Sequence, residues 1–341
     1  GKLRTNDAYQ ELKQGVSDTL KKIPVYGDRV VRRIKKTKSG IKQLFIPGMW
    51  FEEMGLTYLG PIDGHDIGRL VRAFKEARKV NGPVLLHILT QKGRGYVPAE
   101  RHPARFHGAE PFDIATGLPL HKRTKANYTD VFATVMRKMG ERQENLVAIT
   151  AAMPDGTGLK RFKNVFPERF FDVGIAEQHA VTFAAGLAAG GMIPVVAVYS
   201  SFLQRAFDQI VHDVCIQNLP VLFCVDRAGL VGSDGETHQG IYDPAFLSQT
   251  GMPIYSPSNY EELRHWLPIL LSHEMQGPRA IRYPRGGESK ALAKYGCSGK
   301  EYDKLIFTPG AKATLVSYAD EVEDVLTAAE LLAKEGIPCD V

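Results

Sequence analysis

The chain has 341 residues, of which 44% are hydrophobic and 24% charged, and it carries a net charge of +5. That balance is ordinary for a soluble globular protein of two or three domains. No apolar segment is long enough to span a bilayer as a helix. No run of like charge is long enough to argue for nucleic acid, and the densest one, over residues 32–38, reads as a solvated face or loop. The mild basic excess suits anionic small ligands without specifying one. Cys215, Cys224, Cys297 and Cys339 have no metal-ligand spacing and read as reduced structural thiols. The expected setting is therefore a reducing one, the cytoplasm, or a plastid stroma in a plant or alga. No signal peptide is visible. The first residue is not Met, and the chain reads as starting within a domain.

Apolar residues recur at helical spacing over residues 7–22 (Tyr9, Leu12, Val16, Leu20), and a second, basic helix is expected over 27–44. Residues 56–59 read as a strand. Residues 67–80 form an amphipathic helix with Leu70, Val71, Phe74 and Ala77 on one face, closed by Asn81-Gly82. The apolar run 83–89 is expected to be a strand covered on both faces. Together they make one parallel crossover. Residues 91–126, with little periodicity and much Gly, Pro, Arg and His, read as a long connecting loop, functional or linking.

From residue 128 strands and helices alternate. Helices are expected over 130–142, 177–190, 202–217, 244–250 and 260–272, and strands over 146–150, 169–175, 193–199, 220–226, 253–256 and 279–283. That alternation specifies an α/β fold with a doubly wound, mostly parallel sheet. Residues 289–311 read as a linker, and 313–318, 321–334 and 337–341 as strand, helix and strand of a further α/β domain that the chain begins but does not complete. Three domains follow: 1–108, 109–288 and 289–341. Ligands of such sheets sit at the carboxyl ends of the strands. The polar clusters at Met153, residues 175–177, residues 199–202, residues 227–238 and Arg282 all fall there. Glu177 stands out among them, because a charged residue entering a small-residue helix is costly unless paired or employed. Its plain alternative is an acid complementing the helix dipole.

Several motifs stand together in order: Gly-Ile-Ala-Glu-Gln-His at 174–179, Tyr-Ser-Ser-Phe-Leu-Gln-Arg-Ala-Phe-Asp-Gln at 199–209, Asp-Arg-Ala-Gly-Leu-Val-Gly-Ser-Asp-Gly-Glu-Thr-His-Gln-Gly at 226–240 and Arg-Tyr-Pro-Arg-Gly at 282–286. With Tyr-Leu-Gly-Pro-Ile-Asp-Gly-His-Asp at 58–66 and Lys-Gly-Arg-Gly-Tyr at 92–96, they closely resemble the transketolase-like thiamine diphosphate family. The closest likeness is to its members that join pyruvate and D-glyceraldehyde 3-phosphate, with loss of CO2, into 1-deoxy-D-xylulose 5-phosphate, which feeds isoprenoid and thiamine synthesis. The resemblance implies a homodimer and a pyrimidine-binding type of sheet. It implies that Glu177 hydrogen-bonds the aminopyrimidine of thiamine diphosphate and that Phe202 stacks on it. Met153 and Ile175 line the same pocket, Lys92 lies near the diphosphate, and Arg205 sits beside them. For the substrates it implies Arg227 and Arg282 on the phosphate, with Tyr199, Asp234 and His238 around the acceptor and the reacting centre. His107 matches an active-site imidazole. On the residues alone, Phe202 reads first as a core aromatic, Arg205 as a surface partner of Asp208, residues 227–238 as a mobile loop and His107 as a solvated side chain.

One departure stands out. The family holds Mg2+ and the diphosphate with a Gly-Asp-Gly segment and a downstream Asn, and this sequence has neither in that context. The metal ligands are therefore expected in a segment preceding Gly1, and this chain is expected to hold the pyrimidine half of the site, to bind cofactor weakly and not to turn over alone. Other readings are a β-type subunit of a 2-oxo-acid dehydrogenase, the C-terminal subunit of a divided transketolase, and a silent dimerising fragment.

Overall fold

A computed structural model describes residues 49–121, 124–232, 234–272, 276–300 and 303–341. The helices expected over 7–22 and 27–44 lie outside them. The chain divides into two compact units, Gly1–His121 and Lys122–Val341.

In the first unit β1 (Thr57–Asp63) and β2 (Val84–Leu89) pair in parallel across the helix α1 (Ile67–Ala77). Asp66 starts α1 by accepting a hydrogen bond from the Arg69 amide at 2.9 Å. The helix ends three residues sooner than its periodicity suggests. The Lys79 and Val80 amides reach back only three residues, to Glu76 and Ala77, so the last turn tightens. β2 is not covered on both faces: none of its residues is buried. Among the described residues this sheet has two strands, so its apolar run and the Val71 and Phe74 side of α1 stay partly open. The long loop is ordered by more than its composition suggests. It contains a short helix, α2 (Val97–Arg101), and closes on Tyr96, Phe106 and Phe112, whose ring centroids lie 5.0–5.9 Å apart.

The second unit is built on six strands in the order β4-β3-β5-β6-β8-β7, all parallel. They are β3 (Leu146–Thr150), β4 (Phe170–Asp172), β5 (Ile193–Tyr199), β6 (Leu222–Asp226), β7 (Ile254–Tyr255) and β8 (Arg279–Tyr283). The central strands β3, β6 and β8 are buried at every residue, as a sheet covered on both faces requires. On one face lie α3 (Tyr128–Arg142) and, much later in the chain, a helix over Tyr260–Leu270; Phe132, Met136, Leu263 and Leu267 fill that layer. On the other lie α5 (Glu177–Ala189) and the segment 200–215, with Ala180, Ala184, Leu203 and Ile210 against Val196 and Val225. α4 (Lys160–Val165) joins the first of these layers through Phe162 and α6 (Asp243–Ser248) the second through Leu247, and the Tyr260–Leu270 helix is α7. Burying side chains such as Phe132 contributes about 1.5–3 kcal/mol each. α3 starts two residues before the expected position, because Asn127 caps it and Asp130 returns the bond to the Asn127 amide.

The helix expected over 202–217 is four pieces: α-helical Ser200–Leu203, a 3-10 turn Gln204–Ala206, a short α-helical Phe207–Gln209 and a π turn Ile210–Cys215. Tightening and then widening keeps Leu203, Ala206, Ile210 and Val214, spaced three, four and four, on the sheet. Residues 289–341 pack within this same unit. β9 (Ala313–Thr314) and β10 (Cys339–Asp340) form a two-stranded sheet, and α8 (Val322–Lys334) meets Leu292 through Val322 and Leu326. The strand expected over 313–318 is only two residues long, since only β10 pairs with it. No helix among the described residues is long and apolar enough to cross a membrane.

Candidate active site

Because every strand of the large sheet runs the same way, the segments leaving β3, β4, β5, β6 and β8 emerge at one edge. Glu177 is the first residue of α5, 2% exposed, and no side chain caps that helix. The helix dipole favours its negative charge. Its Oε2 lies 3.2 Å from Arg205 Nη1, whose side chain is 54% exposed. The 3-10 turn within 200–215 carries Arg205. The plain alternative for Arg205, a pair with Asp208, is not what forms.

Beyond β5, Tyr199 and Phe202 stack at 5.6 Å, and the His238 ring meets Phe202 at 5.0 Å and Tyr199 at 6.0 Å. His238 and the Thr237 hydroxyl share a hydrogen bond of 2.9 Å. Burial raises the Tyr199 phenol above its ordinary pKa, against the pull of Arg227. Met153 is buried in the layer beneath. Gly156 closes over Tyr199: a Cβ there would stand 1.6 Å from the phenol oxygen.

Arg227 lies over the Tyr199 ring, its guanidinium carbon 3.7 Å from the centroid. Its Nη1 donates to Gly156 O at 2.7 Å and to Asp226 Oδ1 at 2.9 Å. Asp234 stands between two arginines: Oδ1 pairs with Arg285 and Oδ2 lies 3.4 Å from Arg227 Nε. That Oδ2 and that Nε are both buried and make no hydrogen bond.

Asp226 ends β6 in full burial, holding the Thr129 hydroxyl at 3.0 Å and the Arg227 amide at 2.7 Å. Burial pushes its carboxyl up to about 6, outweighing Arg227 and Thr129. Folded Asp226 therefore keeps its proton between pH 3.8 and about 6, where the unfolded chain has lost it. Its contribution to stability is full below pH 3.8, falls as pH rises through that window and is flat above it. Urea unfolding at pH 4 and pH 6.5 will show the parent losing about 2 kcal/mol more than Asp226→Asn between the two.

Arg282 and Ile175 are placed differently from the rest. Arg282 has its guanidinium enclosed by the protein. Its side chain is 5% exposed, with Nε 2.7 Å and Nη2 3.4 Å from the Asp243 carboxylate and Nη2 3.3 Å from Gly240 O. A guanidinium this enclosed needs a counter-ion of its own, and Asp243 supplies it while accepting from Ser200 Oγ at 2.7 Å. Ile175 is 76% exposed and stands outside the buried cluster of this unit. In the first unit, Lys92 Nζ and His107 Nδ1 lie 2.7 Å apart, both exposed. So Met153, Glu177, Tyr199, Phe202, Arg205, Arg227, Asp234 and His238 gather at one sheet edge. Sequence reasoning missed Asp226, Gly156 and Arg285. Arg285 had a signal, since it is the second arginine of the 282–286 motif, and its side chain is 32% exposed beside Asp234.

A family model described as transketolase, pyrimidine binding domain, matches residues 124–287, and one described as 1-deoxy-D-xylulose-5-phosphate synthase matches residues 1–90. The chain is 56% identical over 286 residues to a 1-deoxy-D-xylulose-5-phosphate synthase of Lachnoclostridium phytofermentans, covering 84% of this chain and 45% of that protein. It is 48% identical over 339 residues to the enzyme of the same name from Natranaerobius thermophilus, covering 98% and 53%. The chain thus spans about half the length of the curated relatives it matches. Among solved structures, a split-gene transketolase described as an inactive beta4 tetramer matches with a TM-score of 0.53 at 27% identity, over 63% of this chain and 69% of that one. Transketolase from Campylobacter jejuni matches in fold, with a TM-score of 0.54 at 18% identity over 88% and 58%.

Proposed function

We propose, from the premise that this chain belongs to the 1-deoxy-D-xylulose-5-phosphate synthases of the transketolase-like family, that it supplies the pyrimidine side of a thiamine diphosphate site. The reaction is the decarboxylative condensation of pyruvate with D-glyceraldehyde 3-phosphate. The observation that carries the reading is Glu177: a buried carboxylate at a helix start, at the carboxyl edge of a parallel sheet, near stacked aromatic rings. That donor set fits an aminopyrimidine, which needs an acid for a ring nitrogen and a flat apolar face. Thiamine diphosphate, when bound, supplies a carbon acid whose conjugate base adds to the pyruvate carbonyl and stabilises the charge left by CO2.

The chain's residues do the rest. Glu177 exchanges a proton with the pyrimidine ring, and Arg205 holds its carboxylate in place. Phe202 and Met153 give the ring an apolar bed. His238, against Phe202 and Tyr199, moves a proton at the acceptor aldehyde oxygen. Arg227 and Arg285, rather than Arg282, take the acceptor phosphate, since guanidinium offers a fixed fork of donors. Lys92 and His107 meet the diphosphate and the substrate. Exposed Ile175 and the outer side of α5 are covered by a second copy, in a homodimer working in the cytoplasm. Residues 289–341, with a small apolar cluster of their own, form a third domain packed in the second unit. Among the described residues, no group of three or more His, Cys, Asp or Glu could hold a metal ion.

A second reading has its own support in the split-gene transketolase, whose inactive tetramer is made of one kind of chain. A chain of this extent then assembles by itself without turning over, as a C-terminal-type subunit does. Titration calorimetry with thiamine diphosphate, followed by assay with pyruvate and D-glyceraldehyde 3-phosphate, tests both. Weak binding heat that Phe202→Ala abolishes, with no product from the chain alone, is expected. Robust product formation would sink the half-site reading, and heat indifferent to Phe202 would sink the pyrimidine assignment.

A further inference from the structure

Asp226 has no role in the chemistry above, yet it is the most enclosed carboxylate among the described residues. Its Oδ1 accepts twice from its own neighbour, from the Arg227 amide at 2.7 Å and from Nη1 at 2.9 Å. Its other oxygen is tied to Thr129 Oγ1 at 3.0 Å, on the opposite side of the sheet end in α3. Asp226 therefore has no freedom to follow Arg227. Instead Arg227 follows Asp226.

The backbone bears this out. Arg227 has a φ of 60°, in the left-handed region that long side chains avoid. Such strain persists only where the surroundings impose it, and it clusters at functional sites. Here the next residues impose it. The Ala228 amide donates to Tyr283 O at 3.1 Å, and Gly229 and Gly240 exchange hydrogen bonds of 2.7 and 2.8 Å. The turn sends the Arg227 side chain back over β5. With Nη1 held by Asp226 and Gly156 and the flat face held by Tyr199, the guanidinium has one orientation. Nε is buried, makes no hydrogen bond and lies 3.4 Å from Asp234 Oδ2.

We propose that Asp226 is a positioning residue: it holds the Arg227 guanidinium flat on Tyr199, in the one orientation from which it serves the phosphate of the acceptor substrate. This rests on the assignment of Arg227 to that phosphate. Asp226 itself touches no substrate and acts only through Arg227. Neighbouring residues separate the effects: Tyr199 sets the plane, Gly156 leaves room for it, and Asp226 fixes the rotation within it.

Two measurements on the complete enzyme test the proposal. In the first, arginine side chains are labelled with 15N, and the Arg227 Nε–H signal is assigned by its loss in Arg227→Lys. The ring current of Tyr199 displaces that signal in the parent. In Asp226→Asn it returns at least half-way to its ordinary position; an undisplaced or unchanged signal overturns the proposal. In the second, KM is compared for D-glyceraldehyde 3-phosphate and for D-glyceraldehyde. Asp226→Asn raises the first at least ten-fold and the second less than two-fold, and equal effects on both acceptors point to a merely structural role and overturn it. Should Asp226→Asn fail to fold, Thr129→Val removes the other anchor of the carboxylate and gives the same split at about three-fold. A parent enzyme that takes both acceptors equally overturns the phosphate role of Arg227. The arginine signal then still shows whether Asp226 holds the guanidinium, so the two failures are told apart.

Discussion

Glu177→Gln in the complete enzyme lowers turnover by about 10^2–10^4-fold, the range that a positioned proton-transfer group contributes. Glutamine keeps the volume of the side chain and can still accept a hydrogen bond from Arg205, so packing at the start of α5 is preserved. It cannot give up or take a proton, and that exchange is the step the reading requires of this carboxylate. The charge lost is paired with a half-exposed arginine, and solvent screens that pair, so stability changes by less than about 1 kcal/mol. Steady-state rates with pyruvate and D-glyceraldehyde 3-phosphate, beside a thermal melt of the same preparation, separate the two effects. A mutant working at the parent rate removes Glu177 from the chemistry. A mutant that is slow only because it has unfolded shows as a lowered Tm.

Asp243→Ala acts on stability instead, by about 3–5 kcal/mol. It strips the counter-ion from Arg282, which is almost fully enclosed, and leaves the Ser200 hydroxyl without its acceptor. A lone buried charge costs far more than a well-made pair adds, which is why removing one partner is worse than removing both. Asp243→Leu with Arg282→Met therefore recovers much of the loss made by Asp243→Ala. Equilibrium urea unfolding of the three variants checks both statements. A loss below 1 kcal/mol in Asp243→Ala would mean that Arg282 reaches solvent, and would return it to the candidates for the substrate phosphate.

Arg282 and Arg285 show why part of the site was not legible beforehand. Both belong to one short motif, and as residue types they are equal candidates for a phosphate. Arg282 lies within β8, where both faces are covered, so its charge is committed inward to Asp243, 39 residues away in the chain. Arg285 lies two residues past the strand end, where the side chain emerges beside Asp234. Spacing within a motif does not record which of two arginines falls inside the sheet. The break in the helix after β5 is similar. Its apolar positions are visible in the sequence, but the tight and wide turns that keep them on the sheet also deliver Arg205 to Glu177. That pairing of residues 28 apart has no local signature.

The order of the six strands of the large sheet was determined by the sequence itself, though the short helices Lys160–Val165 and Lys290–Ala293 were not expected. Alternation of apolar runs with amphipathic stretches is a local property, and β5 and β8 have the ends it implies. The same patterns placed Glu177, Tyr199, Phe202 and Arg227 at strand ends, because a parallel sheet sends every such end to one edge. Only the tertiary structure decided which charges face each other there. Arg227 bent back on Asp226, Arg282 closed by Asp243, and Asp234 shared between two arginines depend on burial, and burial belongs to the assembled layers rather than to any stretch of chain. A charge taken out of water must find a partner wherever the fold brings one, and the fold, not the spacing, sets that distance.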